Sequence, residues 1–132
     1  MERVVLDTCV LLDFMAGQGQ SEVVENLLVE AKAAISVISV YELLRGVHNF
    51  KHLKQREELF QLCKIFDLTP SICRKAAEIY TSLKGRGELI SHEDILIGAT
   101  ALKESCPLRT SNRKHFEKIP DLRFYLPENS PL

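Results

Sequence analysis

Three acidic residues far apart in the sequence, Asp7, Glu42 and Asp94, are the positions best suited to chemistry. Asp7 directly follows Val4-Val5-Leu6, an apolar run typical of a strand buried on both faces of a parallel sheet. Ligands of open α/β sheets bind just beyond the carboxyl ends of such strands. Glu42 and Asp94 fall in the first turns of predicted helices that begin at the same edge of the sheet.

Carboxylates that converge at this edge cannot all remain ionised unaided, so either their pKa values rise or a cation binds. Oxygen ligands without a cluster of His or Cys residues favour Mg²⁺ or Mn²⁺, bound as one or two ions. Such a site suits phosphoryl chemistry, in which a metal activates a water molecule.

Each acid also has a purely structural interpretation, and the residues alone leave both open. Asp7 is a good N-cap for a helix that begins near Cys9. Glu42 lies opposite the apolar stripe of its predicted helix and is spaced to form a surface ion pair with Arg45. Asp94 fits a capping box with Ser91.

The remaining patterns predict an α/β fold with a mostly parallel central sheet of four to five strands flanked by helices. We expect strands at 4–6, 33–38, 65–68, 108–110 and 122–125. Helices are expected at 9–16, over about a dozen residues from Ser21, at 39–50, 51–63, from Pro70 to the stop at 85–87, and from Ser91 to Leu102. We expect one domain over residues 1–132, with a frayed tail at 126–132.

Composition excludes several classes of protein. The net charge of −1 gives no overall basic field, so binding of a polyanion needs a local patch. Apolar stretches are too short for a transmembrane helix, and Asp7 interrupts any signal-peptide pattern. The four cysteines show no zinc or C-x-x-C spacing, which favours reduced thiols in a cytoplasmic protein without membrane association.

The sequence resembles the PIN-domain ribonucleases, and within them the VapC toxins of toxin–antitoxin pairs. The resemblance covers nearly the whole chain and rests on four blocks in a fixed order. They are Val5-Leu6-Asp7-Thr8 with Leu11-Leu12, Ser39-Val40-Tyr41-Glu42-Leu43-Leu44-Arg45-Gly46, Asp94-Ile95-Leu96-Ile97-Gly98-Ala99-Thr100-Ala101, and Thr110-Ser111-Asn112-Arg113-Lys114-His115-Phe116.

This resemblance implies a PIN-like fold and hydrolysis of RNA phosphodiester bonds by a metal-activated water. By position, Asp7, Glu42 and Asp94 match the metal-binding acids, and Asn112 matches a fourth catalytic position that is often Asp. Thr8, Thr110 and Ser111 match or adjoin polar groups that support the site. Three departures are the neutral Asn112, His115 where some relatives carry a second acid, and Cys9 where relatives often carry Asn.

The resemblance also implies partners. RNA is the expected substrate, and the candidate cations for its phosphates are Arg45, Lys51, Arg86, Arg113 and Lys114. A cognate antitoxin is expected to fill the acidic site, and the chain is expected to form a homodimer. The alternative is a catalytically impaired PIN-like module that binds RNA or protein, which the neutral Asn112 keeps open.

Overall fold

One parallel sheet of four strands organises the chain. The structure, a computed structural model, describes residues 2–127. The strands are β1 (Val4–Leu6), β2 (Ala33–Ser36), β3 (Lys64–Phe66) and β4 (Leu108–Arg109), and they lie in the order β3-β2-β1-β4. All three pairings are parallel, with Val5 of β1 opposite Ala34 of β2 on one side and Leu108 of β4 on the other. The predicted α/β class and parallel sheet are confirmed.

Helices cover both faces of this sheet. In the described part of the chain they are α1 (Thr8–Ala16), α2 (Ser21–Val29), α3 (Val37–Leu44), α4 (Phe50–Gln61), α5 (Pro70–Gly85), α6 (His92–Lys103) and α7 (Arg113–Phe116). None of the described helices is long and apolar enough to cross a membrane.

The alternation of side chains along β1 divides the interior into two apolar cores. Val5 belongs to the core formed with α5 and α6, whereas Val4 and Leu6 belong to the core formed with α1 to α4. All three residues are buried. A strand covered on both faces must be apolar throughout, which explains why β1 has no polar residue before Asp7.

The second strand is shorter than the sequence predicts. We expected a strand at 33–38, but the Ser36 hydroxyl accepts a hydrogen bond from the Ile38 amide at 3.0 Å and caps α3, which begins at Val37. The apolar pattern continues through this junction because α3 starts against the buried sheet. Glu42 therefore lies in the second turn of α3 rather than in its first.

The predicted helix at 39–50 is also shorter, because α3 ends at Leu44. Gly46 has a φ of +79°, a conformation that favours glycine, and the chain turns there before α4 begins at Phe50. Phe50, expected at the end of that helix, is instead the first residue of α4 and is largely exposed.

Other boundaries follow the sequence more closely. Thr69 caps α5 with Pro70 in its first turn, and Ser91 caps the largely buried α6.

Two other elements are shorter than predicted. Helix α2 has nine residues instead of about a dozen, and the expected strand at 122–125 is a single bridge between Phe124 and Leu108. All four cysteines are free thiols. Of the tail expected at 126–132, residues 128–132 lie outside the described part.

Gly98 of α6 lies close to the segment after α7. A Cβ at this position would lie 2.6 Å from Cδ1 of the buried Ile119. Such a contact is too short, so an alanine would force Ile119 to move within a packed core.

We predict that Gly98→Ala and Ile119→Val are strongly coupled. Alone, Gly98→Ala loses its gain in helix propensity to overpacking, which costs about 1–3 kcal/mol. In the Ile119→Val background, which lacks the clashing methyl group, Gly98→Ala should stabilise the protein by up to about 1 kcal/mol. Urea unfolding of the four proteins measures the coupling, and simple additivity would contradict the close approach.

Candidate active site

Asp7 lies at the carboxyl end of the central strand and serves two roles at once. Its Oδ1 accepts a hydrogen bond from the Val10 amide at 2.9 Å, so Asp7 caps α1 as one interpretation of the sequence predicted. Its Oδ2 accepts a hydrogen bond from the Thr110 hydroxyl, which comes from the residue after β4. The cap thus fixes a carboxylate at the edge of the sheet.

Asp7 is only 3% exposed, and ionisation of its carboxyl is correspondingly costly. Burial raises the pKa of Asp7 to about 6, and the negative charges of Asp94 and Asp13 add to this rise. The hydrogen bonds from Thr110 and Val10 oppose it. A cation beside Asp7 would relieve the cost, because an opposite charge favours the ionised form.

Glu42 reaches the same edge from α3. The Thr8 hydroxyl donates a hydrogen bond to Glu42 Oε1 at 2.7 Å, and Thr8 Oγ1 lies 2.9 Å from the hydroxyl of the buried Ser39. The other carboxylate oxygen, Oε2, lies 3.6 Å from Nη2 of Arg45. The ion pair expected from the sequence is therefore present, but the Glu42 side chain is only 15% exposed and also contacts α1.

Asp94 is the third residue of α6. The Ser91 hydroxyl accepts a hydrogen bond from the Asp94 amide at 3.1 Å, which is one half of the expected capping box. Burial is the main cause that raises the pKa of Asp94; hydrogen bonding with Ser91 and the proximity of His115 oppose the rise, and the charge of Glu42 adds a smaller increase. Asp94 thus interacts electrostatically with both Asp7 and Glu42. We call these three side chains the acidic cluster.

The segment after β4 connects Asp7 to Asp94. Thr110 Oγ1, which donates to Asp7, accepts a hydrogen bond from the Asn112 amide at 2.9 Å. The Asn112 side chain contacts His115 Nδ1 at 2.7 Å, and the same nitrogen lies 3.7 Å from Asp94 Oδ2. Asn112 therefore adjoins the acidic cluster through His115.

Ser111, the remaining supporting residue expected from the sequence, accepts a hydrogen bond from the side chain of Gln20, before α2, at 3.2 Å. Two contacts were not anticipated from the sequence, namely those of Ser39 with Thr8 and of His115 with Asp94. Ser39 begins the second of the four blocks that carry the family resemblance, and His115 stands where some relatives carry an acid, so each had a weak signal.

The expected RNA-binding cations also differ in their surroundings. Arg45 adjoins Glu42, and Lys114 is exposed on α7 beside Asn112. Arg113 packs its guanidinium over the Phe124 ring at 4.8 Å. Arg86 donates to the Lys118 carbonyl at 2.7 Å and pairs with Glu88 at 3.7 Å, so it joins α5 to the segment after α7.

The donor chemistry of the acidic cluster fits a hard divalent cation, although the cluster is not a closed cage. Within residues 2–127, no three His, Cys, Asp or Glu side chains are grouped closely enough to hold a metal ion by themselves. Mg²⁺ commonly binds through one or two carboxylates and keeps several water molecules. An open arrangement of carboxylates, in which burial raises the pKa values of Asp7 and Asp94, meets that requirement.

Comparisons with known proteins place these features in a family. Residues 4–122 match the PIN domain family. Ribonuclease VapC1 of Methanocaldococcus jannaschii is 31% identical over 119 residues, covering 90% of this chain and 82% of that protein.

Solved structures agree. A chain of VapBC2 from Rickettsia felis, bound to a DNA fragment from its promoter, superposes with a TM-score of 0.80 at 27% identity, covering 92% of this chain and 96% of that one. VapBC-1 from nontypeable Haemophilus influenzae gives a TM-score of 0.80 at 26% identity with the same coverage. The expected PIN-like fold is confirmed, and this chain belongs to the PIN domain family, in its VapC group.

Proposed function

We propose that this chain is a divalent-metal-dependent endoribonuclease that acts as the toxin of a toxin–antitoxin pair. The observation that carries the proposal is the buried Asp7 carboxylate at the carboxyl end of β1, with Asp94 close enough to raise its pKa further. Burying such a group is destabilising unless a ligand compensates for it. The name of the Methanocaldococcus jannaschii relative, a ribonuclease, supports RNA as the substrate.

Asp7, Glu42 and Asp94 would hold the metal, Mg²⁺ or Mn²⁺. When bound, one or two such ions would supply an activated water and stabilise charge on the leaving oxygen. The chain itself supplies orientation. Thr110 fixes Asp7, Thr8 fixes Glu42, and the cap formed by Ser91 fixes the backbone of Asp94.

Asn112 would contribute a hydrogen bond and no charge, so the three carboxylates set the charge of the site at −3. With one divalent ion the net charge of the site is −1, and with two it is +1. Only the site with two ions attracts a phosphate through its net charge. Nearby cations therefore matter more if one ion binds. Arg45, Arg113 and Lys114 flank the acidic cluster or the segment after β4, whereas the contacts of Arg86 indicate a structural role.

Partners follow from the same family. The Rickettsia felis structure is of VapBC2, which supports an antitoxin that binds this chain. We propose that the antitoxin covers the acidic cluster, that the chain forms a homodimer, and that it acts in the cytoplasm. An impaired module that binds RNA without cutting it is the alternative outcome of the experiments below.

We predict that Asp94→Asn abolishes metal-dependent cleavage. The change removes one charge from the acidic cluster while keeping the backbone bond to Ser91. We expect a fall of roughly a hundredfold or more in the rate of cleavage of a structured RNA in Mg²⁺ or Mn²⁺. Chelation of the metal should abolish wild-type activity.

Asp67→Asn is the matched control, because Asp67 is an exposed acid that follows the edge strand β3. It should retain the wild-type rate. Cleavage that survives both chelation and the Asp94 substitution would contradict a metal mechanism. Binding of RNA by the wild type without cleavage would favour the impaired module.

We predict that Asp7→Asn stabilises the metal-free protein at neutral pH. Because the pKa of Asp7 is about 6 in the folded state against 3.8 ordinarily, the folded state binds this proton more tightly. The stability that the proton provides is complete below pH 4 and is lost as the pH rises through 6. This loss is on the order of 3 kcal/mol.

Asparagine does not titrate and remains a good N-cap. The unfolding free energy of Asp7→Asn, measured in urea with chelator, should therefore increase relative to that of the wild type as the pH rises from 4 to 7. A difference between the two proteins that does not change with pH would show that Asp7 carries no such cost.

We predict that Lys114→Ala weakens RNA binding through loss of one phosphate contact. Binding is measured in the Asp94→Asn background, so that RNA is not cut. The slope of log affinity against log salt concentration should fall by about 0.7, the value for one contact with a single strand. Lys103→Ala, at the opposite end of α6 from Asp94, is the control and should leave the slope unchanged. Equal effects of both changes would indicate non-specific attraction.

A further inference from the structure

Ser39 is a buried polar residue that the proposed chemistry does not use directly. It lies on α3 three residues before Glu42, which places the two side chains on the same face of that helix. Its side chain is fully buried, and its hydroxyl lies 2.9 Å from Thr8 Oγ1. A buried hydroxyl is stable only with a partner, so this contact is a defined part of the structure.

The direction of this hydrogen bond follows from counting protons. The threonine hydroxyl has one proton to donate, and Thr8 gives it to Glu42 Oε1 at 2.7 Å. The contact between Ser39 and Thr8 must therefore be a donation from Ser39 to Thr8. The result is a directed chain of hydrogen bonds that runs from Ser39 through Thr8 to Glu42.

The second threonine of the site is arranged in the same way. Thr110 donates to Asp7 and accepts from the Asn112 backbone amide at 2.9 Å. In both cases a donor behind the threonine occupies a lone pair on its oxygen, which favours rotation of its proton toward the carboxylate. The Ser39 hydroxyl therefore donates to the Thr8 oxygen, as the Asn112 amide donates to the Thr110 oxygen.

We infer that Ser39 is a positioning residue that acts through Thr8 to hold Glu42 ready for a divalent cation. This inference rests on the proposed function. With Ser39 in place, Oε1 of Glu42 is fixed by Thr8, and Oε2 faces Arg45 at 3.6 Å. Arg45 is 56% exposed, and a pair at 3.6 Å with a solvated arginine is weak, so Oε2 is released at little cost.

Loss of the Ser39 hydroxyl removes the donor behind Thr8. The Thr8 hydroxyl is then free to turn, and Glu42 samples orientations in which Oε2 points away from the cation. Groups that orient metal ligands in this way typically change metal affinity by about 10- to 100-fold. Ser39→Ala should therefore weaken binding of Mn²⁺ by about tenfold.

The experiment is a titration of the full chain with Mn²⁺ alone, in the absence of RNA, measured by isothermal titration calorimetry. The proteins compared are the wild type, Ser39→Ala, Thr8→Val and the double variant. Because Ser39 acts through Thr8, the double variant should bind Mn²⁺ no more weakly than Thr8→Val. Ser39→Cys, which keeps the volume with a weaker donor, should show an intermediate affinity and serves if Ser39→Ala does not fold.

Thr100→Val is the matched control. Thr100 is a fully buried hydroxyl on α6, the helix that carries Asp94, but it donates to the Leu96 carbonyl at 2.8 Å and not to an acid. It should bind Mn²⁺ within twofold of the wild type. Unfolding in urea with chelator confirms that each variant is folded.

Three results would overturn the inference while leaving the proposed function intact. They are wild-type affinity in Ser39→Ala, additive losses in the double variant, and an equal loss in Thr100→Val. A wild-type protein that binds no Mn²⁺ and cuts no RNA would overturn both. The two failures are therefore distinguishable from the wild-type titration.

Discussion

The structure depends on one constraint, the burial of the Asp7 carboxylate at the end of the central strand. Asp7 is 3% exposed, and burial raises its pKa to about 6. The strand before it is apolar on both faces because helices cover the sheet on both sides. Asp7 directly follows β1, and it meets polar partners from α1 and from the residue after β4.

The partners compensate for the buried charge without neutralising it. Hydroxyl and amide donors hold Asp7 through Thr110 and Val10, and a hydroxyl holds Glu42 through Thr8. Donors of this kind favour the ionised carboxylate while leaving its charge in place. A salt bridge to a buried arginine would neutralise the charge and leave less for a metal. The choice of threonine rather than arginine at these contacts is what keeps the acidic cluster available.

Local patterns predicted most of the fold and the main acids, whereas contacts between distant segments were harder to predict. Three features depend on neighbours in sequence and were right, namely the apolar run of Val4 to Leu6, the start of α5 at Pro70 and the cap at Ser91. The break between α3 and α4 depends on how the chain turns at Gly46, which periodicity does not record. The burial of Arg109, whose Nε donates to Gln20 at 3.0 Å, depends on residues 89 positions apart. The Ser39 and His115 contacts are of the same kind.

The placement of charge around the acidic cluster argues for exchange rather than permanent pairing. The basic side chains that approach it, Arg45 near Glu42 and the His115 ring near Asp94, are both more than half exposed and lie at 3.6 and 3.7 Å. Pairs of this kind contribute little and are readily broken. Asp7, the most buried acid, is held by neutral donors. Asp7 therefore gains the most from an incoming cation, whereas Glu42 and Asp94 lose only weak pairs when the cation binds. Both effects favour binding of a cation at the acidic cluster.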